Sequence, residues 1–332
     1  LALDATANKV RTVPDLEALT GQEPEVLAAP HNAPTIHTGS VELALSERAE
    51  AICRLFGALD AGQRVMCFAT STALVQDLDR LAREKGIAVI ALHGASPPEV
   101  RATTRDPQGL WEPYQLVLYT TAVGSGVNYD LDDRHVYIIA DFVPGLGSDS
   151  VLQAAARCRR PRSTTTWIDP RRMPQPPSME ELSKKHREQL ARRGPYPDFG
   201  GKHEREHFES MVRNDFVRQL RCSGVKDEYY ETRRAEYGVR VVDLDSGLDE
   251  DDREAVGRDL KRARASREAE VVAGVMAAGT PDDLEAKRLA GKEELTLTER
   301  SQVWRHSTLE RWGRLDDTLV HDTACKRGRM YR

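Results

Sequence analysis

The sequence predicts an α/β protein in which a parallel sheet carries helices on both faces and is followed by a mostly α-helical C-terminal region. Three observations lead there. Between Gln63 and Asp169 short apolar runs alternate with amphipathic stretches, the pattern of strands buried on both sides. Pro170-Arg-Arg-Met-Pro-Gln-Pro-Pro177 then breaks the alternation with a proline-rich boundary. Beyond it the chain becomes charged and helical in texture, in keeping with 30% charged and only 6% aromatic residues overall.

Each element follows from local chemistry. Arg64–Thr70 reads as a buried strand, and Ser71 is placed to cap an amphipathic helix over Thr72–Lys85 that Gly86 closes. Ile87–Leu92 is a second strand, ending at His93-Gly94. Leu116–Thr120 is a third and Val136–Ala140 a fourth. A helix over Ser150–Arg160 and a fifth strand over Thr164–Ile168 complete the unit. Upstream, Leu1–Asp4 reads as a lone strand and Asp15–Leu19 as a helix, with a linker at Ala29–Pro34. Downstream, an acidic stretch over Val241–Arg253 precedes basic Lys261-Arg-Ala-Arg264, and Pro281–Gly313 reads as one or two helices. The expected division is therefore 1–34, 35–170 and 171–332.

At 332 residues and a net charge of -5, the chain has room for about two domains and is not a uniformly basic nucleic-acid coat. Any such contact must come from local patches. Five scattered cysteines without C-x-x-C spacing point to a reducing, cytoplasmic setting. No apolar run reaches the length of a membrane span. The chain opens at Leu1 in an apolar run, so it is expected to be part of a longer polypeptide.

The chemistry concentrates where strands end. In open parallel sheets, ligands bind beyond the carboxyl ends of strands. Thr70, Ser71, His93, Gly94, Thr120 and Thr121 are expected there, together with the turn Gly124-Ser-Gly126-Val-Asn128. Glycines let the backbone approach a ligand, and hydroxyl or amide groups bond phosphate or ribose oxygens. Taken alone, such a turn is more often only a turn. In Gln153-Ala-Ala-Ala-Arg157-Cys-Arg-Arg160, helical spacing would put Gln153, Arg157 and Arg160 on one face. Two guanidinium forks aimed at one spot suit a polyphosphate. The plain alternative is a solvated basic helix.

These segments, in this order, resemble the second RecA-like lobe of superfamily 2 helicases. "RVMCFATS" stands where that family has motif IV, and "LYTTAVGSGVN" resembles motif V, with Thr120, Gly126 and Asn128 at its spacing. "QAAARCRR" resembles motif VI, with Gln153, Arg157 and Arg160 in register. Asn128 replaces a common Asp and Ala156 a common Gly. The N-terminal Leu3-Asp4-Ala5-Thr6 resembles motif III, making Asp4, Ala5 and Thr6 candidates for coupling lobe closure to DNA. The tail resembles plasmid replication proteins of the cyanobacterial RepA-like family, and viral origin-binding helicases vary at the same positions. The resemblance implies ATP and Mg²⁺ as cofactors, bound jointly with an N-terminal lobe, and single-stranded DNA as partner alongside that lobe and other replication proteins. It assigns phosphoryl-transfer chemistry to Arg157, Arg160 and Gln153, nucleotide contacts to Gly124, Gly126 and Asn128, and DNA-backbone contacts to the rim residues.

Half of an active site is missing. ATP hydrolysis needs a Gly-x-x-x-x-Gly-Lys-Ser/Thr loop and a strand-borne acidic pair. Gly200-Gly-Lys202-His203 lacks both the upstream glycine, which is Tyr196, and the hydroxyl. This chain is expected not to hydrolyse ATP unaided. His203 and His207 flank Glu204 and Glu206 in a polar context, so no metal site is expected. The leading expectation is the C-terminal part of an ATP-dependent DNA helicase acting in plasmid- or phage-type replication. The alternatives are a non-enzymatic RecA-like scaffold in a replication complex and a Rossmann-type nucleotide-binding enzyme, against which Thr70-Ser71 stands where a glycine-rich turn would be.

Overall fold

The computed structural model describes residues 40–123, 127–143, 146–171, 178–192, 208–213, 216, 224–292 and 295–327. Within them the order is β1 (Val41–Leu45), α1 (Arg48–Asp60), β2 (Arg64–Ala69), α2 (Thr72–Glu84), β3 (Val89–Leu92), α3 (Pro98–Ala102) and α4 (Pro107–Leu110). Then come β4 (Leu116–Tyr119), β5 (Arg134–Ala140), α5 (Ser148–Ala155), β6 (Ser163–Ile168), α6 (Met179–Arg192), α7 (Val225–Ala235) and β7 (Arg240–Leu244). A helical tail follows: α8 (Glu250–Ala277), α9 (Asp283–Ala290), α10 (Leu297–Trp312), α11 (Asp317–Val320) and a π-helical turn over His321–Arg327.

The seven strands form one sheet in the order β3-β4-β2-β5-β6-β1-β7, every pairing parallel. The expected parallel sheet with helices on both faces, followed by a helical C-terminal region, is therefore present. A parallel sheet needs cover on both sides, and the period-two alternation of its strands sorts side chains into two cores. Met66, Phe68, Ile90, Leu92, Val117, Tyr119, Val136 and Ile138 point to one face, under Val151, Leu152 and Ala155 of α5 and Tyr229 and Tyr230 of α7. Val65, Cys67, Val89, Leu116, Leu118 and Ile139 point to the other, under Ile52 and Leu55 of α1 and Leu74 and Leu78 of α2. Each fully buried Leu, Ile or Phe contributes roughly 1.5–3 kcal/mol relative to exposure.

Local signals place most elements as the sequence indicates. Ser71 caps α2, its hydroxyl accepting from the Leu74 amide at 3.4 Å, and Gly86 beyond the helix end takes φ +73. Two strands and three helices are absent from the sequence reading. β1 carries Glu42 as its second residue and β7 carries Asp243, charges that mask strand texture in "VELAL" and "RVVDL". The helix α1 between Arg48 and Asp60 and the short helices α3 and α4 are the others.

The sheet also continues past the proline-rich boundary, because β7 pairs with β1 along its whole length, from Val41↔Arg240 to Leu45↔Leu244. The region expected to stand apart as 171–332 thus contributes a strand and cover to both faces. On one face Glu42 of β1 is fully buried and accepts from Arg233 Nε of α7 at 2.8 Å, with Arg233 itself 1% exposed. Beside it the Tyr230 hydroxyl meets Thr166 Oγ1 of β6 at 2.8 Å. On the other face α8 lies across α1 and α2 through ion pairs. Arg267 Nε reaches buried Asp77 at 2.8 Å, Arg253 grips Glu47 at 2.7 and 3.0 Å, and Arg80 pairs with Glu270. Only the last two turns of α8 join a separate small core, Val275 with Val320 and Ala324. Among the described residues no helix is long and apolar enough to cross a membrane.

Removing one partner of a buried ion pair strands the other charge, which costs about 3–5 kcal/mol. Arg233→Met is therefore expected to lower the unfolding free energy by about that amount, while Glu42→Leu combined with Arg233→Met regains most of it. Denaturant titration of the three proteins checks this, and a double variant as weak as the single one would refute it.

Candidate nucleotide and nucleic-acid site

Parallel strands bring their carboxyl ends to one rim. Thr70 and Ser71 follow β2 there, His93 and Gly94 follow β3, and Thr120 and Thr121 follow β4. Thr70 donates its hydroxyl to the Asp141 carbonyl at 2.9 Å, which links the ends of neighbouring β2 and β5. His93 is buried, and its Nδ1 accepts from the Ala95 amide at 3.1 Å, so a proton on the neutral ring sits at Nε2. Thr120 is also buried, its hydroxyl accepting from the Ala122 amide at 3.2 Å. Gly94 and Thr121 are exposed, and Thr70 and Ser71 are half-buried. The rim therefore shows solvent a mixture of backbone and hydroxyl groups, with His93 and Thr120 supporting it from within.

The arginine segment departs from the expected helix. α5 ends at Ala155, and Arg157 and Arg160 lie beyond it, so a shared helix face does not align them with Gln153. A competing backbone pairing unwinds the last turn. The Tyr129 amide donates to the Arg157 carbonyl at 2.6 Å, and the Arg159 amide donates to the Tyr129 carbonyl at 2.9 Å, forming a parallel bridge between Tyr129 and Cys158. Arg160 stands three residues before β6 begins at Ser163, toward the amino edge of the sheet, opposite the threonine rim. The expectation that all candidate residues share the carboxyl rim is corrected accordingly.

That bridge joins the two candidate segments. Arg157 is half-buried, and its Nη1 donates to the Val127 carbonyl at 3.4 Å, one residue past the Gly124–Gly126 turn, which lies outside the described residues. Burial pushes the Arg157 pKa below its ordinary value, the nearby Tyr119 hydroxyl opposing this. Its side chain meets a carbonyl and no carboxylate among the described residues. Arg159 is the guanidinium that an acid holds, at 3.4 Å from Asp130. With its amide oriented so that donors meet acceptors, Asn128 accepts from Arg159 Nη2 at 2.8 Å and donates to the Val127 carbonyl at 3.2 Å. Asn128 is thereby tied into the protein. Arg160 is exposed and Gln153 half-buried on α5. Asp4, Ala5 and Thr6 lie outside the described residues, as do Gly200–His203 and His207.

Sequence reasoning missed the residues that hold this arrangement. Tyr129 is fully buried, stacks on Trp111 with ring centroids 6.3 Å apart, and lies over the Arg134 guanidinium at 4.9 Å. Arg134, with no solvent exposure, donates to the Trp111 carbonyl at 2.6 Å, and burial pushes its pKa down. Tyr129 also donates its hydroxyl to Asp133 at 2.8 Å. The bridge thus rests on an aromatic–cation stack. No motif signals it, because its members are scattered from residue 111 to 158.

For a triphosphate the donor set fits, since a partly desolvated guanidinium without a carboxylate favours an anion. For Mg²⁺ it does not. The neighbouring acids are engaged, Asp130 by Arg159 and Asp133 by Arg64 and Tyr129, and among the described residues no group of three His, Cys, Asp or Glu side chains could hold a metal.

Residues 47–162, about a third of the chain, match the helicase conserved C-terminal domain family. That span runs from the residue before α1 to the last residue before β6 and contains every candidate residue that the structure describes. Among solved structures, Mss116p (NTE and C-tail double deletion), bound to ssRNA and AMP-PNP, is similar at 11% identity and a TM-score of 0.38. The similarity covers 85% of this chain and 44% of that one, so this chain spans less than half the length of that relative. No curated protein matches the sequence.

A pair of strand-end carboxylates governs the pH response of the rim. Burial raises the Asp141 pKa, with Arg48 opposing the rise. At Asp169 burial also pushes upward, but hydrogen bonds from the Arg171 side chain and from the Arg171 and Phe142 amides outweigh it and hold the carboxyl below its ordinary 3.8. A depressed acid stabilises the fold above its unfolded pKa, and that stability fades as pH falls through the folded value. Asp169→Asn is expected to cost about 1–3 kcal/mol at pH 7, with the difference from wild type shrinking below about pH 4. Denaturation at a series of pH values checks this, and a gap that stays constant into acid would contradict it.

Proposed function

We propose that this chain supplies the distal RecA-like lobe of an ATP-dependent helicase acting on DNA in replication, closing against a separate lobe that carries the phosphate loop. The observation that supports the reading is the Tyr129–Cys158 bridge, beside which the Arg157 guanidinium donates to the Val127 carbonyl. In this reading Arg157 and exposed Arg160 reach across a cleft to the γ-phosphate and offset charge that develops as the phosphoryl group transfers. Gln153 positions them or the attacking water, and Gly124, Gly126 and Asn128 border the nucleotide. Mg²⁺ would have to be held by acids of the other lobe, where it would supply charge neutralisation.

The carboxyl rim takes the second role. Thr70, Ser71, Gly94 and Thr121 bond the sugar-phosphate backbone of a single strand, which positions it without reading sequence, while buried His93 and Thr120 fix the loops that carry them. Asp4, Ala5 and Thr6 couple closure to the strand. Because Arg160 and the threonine rim sit toward opposite edges of one sheet, a rigid-body rotation of the lobe about the nucleotide also shifts the strand. Residues 35–170 with β7 and α7 form the lobe, and the remaining helices form an accessory region. The replication role in this proposal rests on the resemblance of the tail's sequence to plasmid replication proteins.

A second reading has one observation in its favour. Asn128 is satisfied internally by Arg159 and Val127, as expected of a scaffold whose nucleotide contacts have lapsed.

Hydrolysis by the full polypeptide separates the two. Arg157→Ala and Arg160→Ala are each expected to reduce DNA-stimulated ATP turnover by about 10³-fold while leaving the thermal unfolding midpoint close to wild type. Wild-type turnover in either variant would remove the finger assignment, and absence of ATPase in the unmodified protein would favour the scaffold.

A further inference from the structure

The rim does not stop at the threonines. In sheet order the next two strands after β2 are β5 and β6, and each is followed directly by an aspartate, Asp141 and Asp169. Each carboxylate holds a guanidinium. Asp141 Oδ1 accepts from Arg48 Nη1 at 2.9 Å, and Asp169 accepts from Arg171 Nε at 2.8 and 3.0 Å and from its backbone amide at 2.9 Å. The burial is one-sided. The Asp169 side chain is 7% exposed while that of Arg171 is 69% exposed, and Asp141 and Arg48 differ in the same sense at 16% and 33%. Negative charge is thus sunk into the sheet end and positive charge faces outward. The Arg171 guanidinium also lies 5.8 Å from the ring of Phe142, and the Phe142 amide donates to Asp169 at 3.3 Å.

Such an arrangement is a presentation device. The side-on pair of Arg171 through Nε and Nη2 leaves its Nη1 pointing away from the acid, and Arg48, held through Nη1, keeps its other nitrogens for a ligand; both are pre-oriented and lose less rotamer entropy on binding than an unanchored arginine. Thr70 ties this pair to the hydroxyl part of the rim, since its Oγ1 bonds the Asp141 carbonyl. From Gly94 past Thr121, Thr70 and Arg48 to Arg171 the row crosses five adjacent strands, about 19 Å at ~4.8 Å per strand.

We infer that Arg48 and Arg171 extend the single-strand track along the carboxyl rim, each donating to a phosphate of the nucleic-acid backbone. The inference rests on the single-strand role proposed above and adds residues from outside the segments that resemble helicase motifs. Arg171 lies beyond the matched domain altogether. Two carboxylate-anchored cations at one end of a neutral hydroxyl row also give the track a direction, with the tightest backbone grip over β5 and β6.

The test is fluorescence anisotropy of a labelled oligothymidylate of about 15 nucleotides with the full chain, across a series of salt concentrations. Arg171→Gln is expected to weaken binding about fivefold and to reduce the slope of log K against log[salt] by about 0.7, one phosphate contact on a single strand. Arg48→Gln should do the same, and Arg171→Lys should restore the slope. Because Arg171→Gln leaves Asp169 unpaired, the double variant Asp169→Asn with Arg171→Gln separates lost contact from lost stability, and it should show the same weakened slope. Unchanged affinity and slope in the arginine variants, with the unmodified protein binding normally, would overturn this inference alone. Failure of the unmodified protein to bind at low salt would overturn the single-strand role on which it depends.

Discussion

The buried pair between Glu42 of β1 and Arg233 of α7 is the constraint around which this fold is arranged. A charged residue within a strand cannot be left in an apolar layer, so Glu42 obliges a cation to come over the sheet, and Arg233 brings α7 with it. Tyr229 and Tyr230 then fill the face above β6 and β1 that α5 does not reach, and the chain returns from α7 to add β7 at the sheet edge. Replacement of such a pair by apolar residues is often tolerated, so its value here lies in specifying which segment covers that face.

The candidate chemistry depends on a different constraint at the other end of the same core. The turn after β4 and the segment after α5 must meet, and the polypeptide achieves this by spending two backbone hydrogen bonds of Tyr129 on Arg157 and Arg159. That choice shortens α5 and turns Arg159 toward Asp130, leaving Arg157 half-buried against a carbonyl. The stack of Trp111, Tyr129 and Arg134 holds the junction, and among the described residues Arg157 pairs with no carboxylate. An anion at that point would meet a donor that has already lost part of its hydration.

The tail is attached in a third way. α8 meets α1 and α2 mainly through arginine–carboxylate pairs that run from Arg253 to Glu270, with Asp77 the deeply buried partner of these, while its last two turns pack into the separate core around Val275 and Val320. Exposed pairs contribute little individually, so Asp77 with Arg267 and the apolar contacts of Val256 and Leu260 anchor the helix. The lobe and the tail thereby keep distinct cores although one helix belongs to both.

The amino-acid sequence by itself determined the parallel α/β lobe, because strands buried on both faces must be continuously apolar and the turns between them are marked by residues such as Ser71 and Gly86. It also marked the threonine rim, since each candidate follows directly from a strand end. It could not reveal β1 or β7, whose charges are intelligible only once Glu42 has met Arg233 and β7 has found the sheet edge. Nor could helical spacing foretell that α5 would stop at Ala155, because the competing partner, Tyr129, lies more than twenty residues upstream. Periodicity and capping are properties of neighbours in sequence, so they set the elements. Which edge each arginine occupies, and which acid neutralises it, depends on backbone pairing and buried charge between distant segments, and only the tertiary structure decided those.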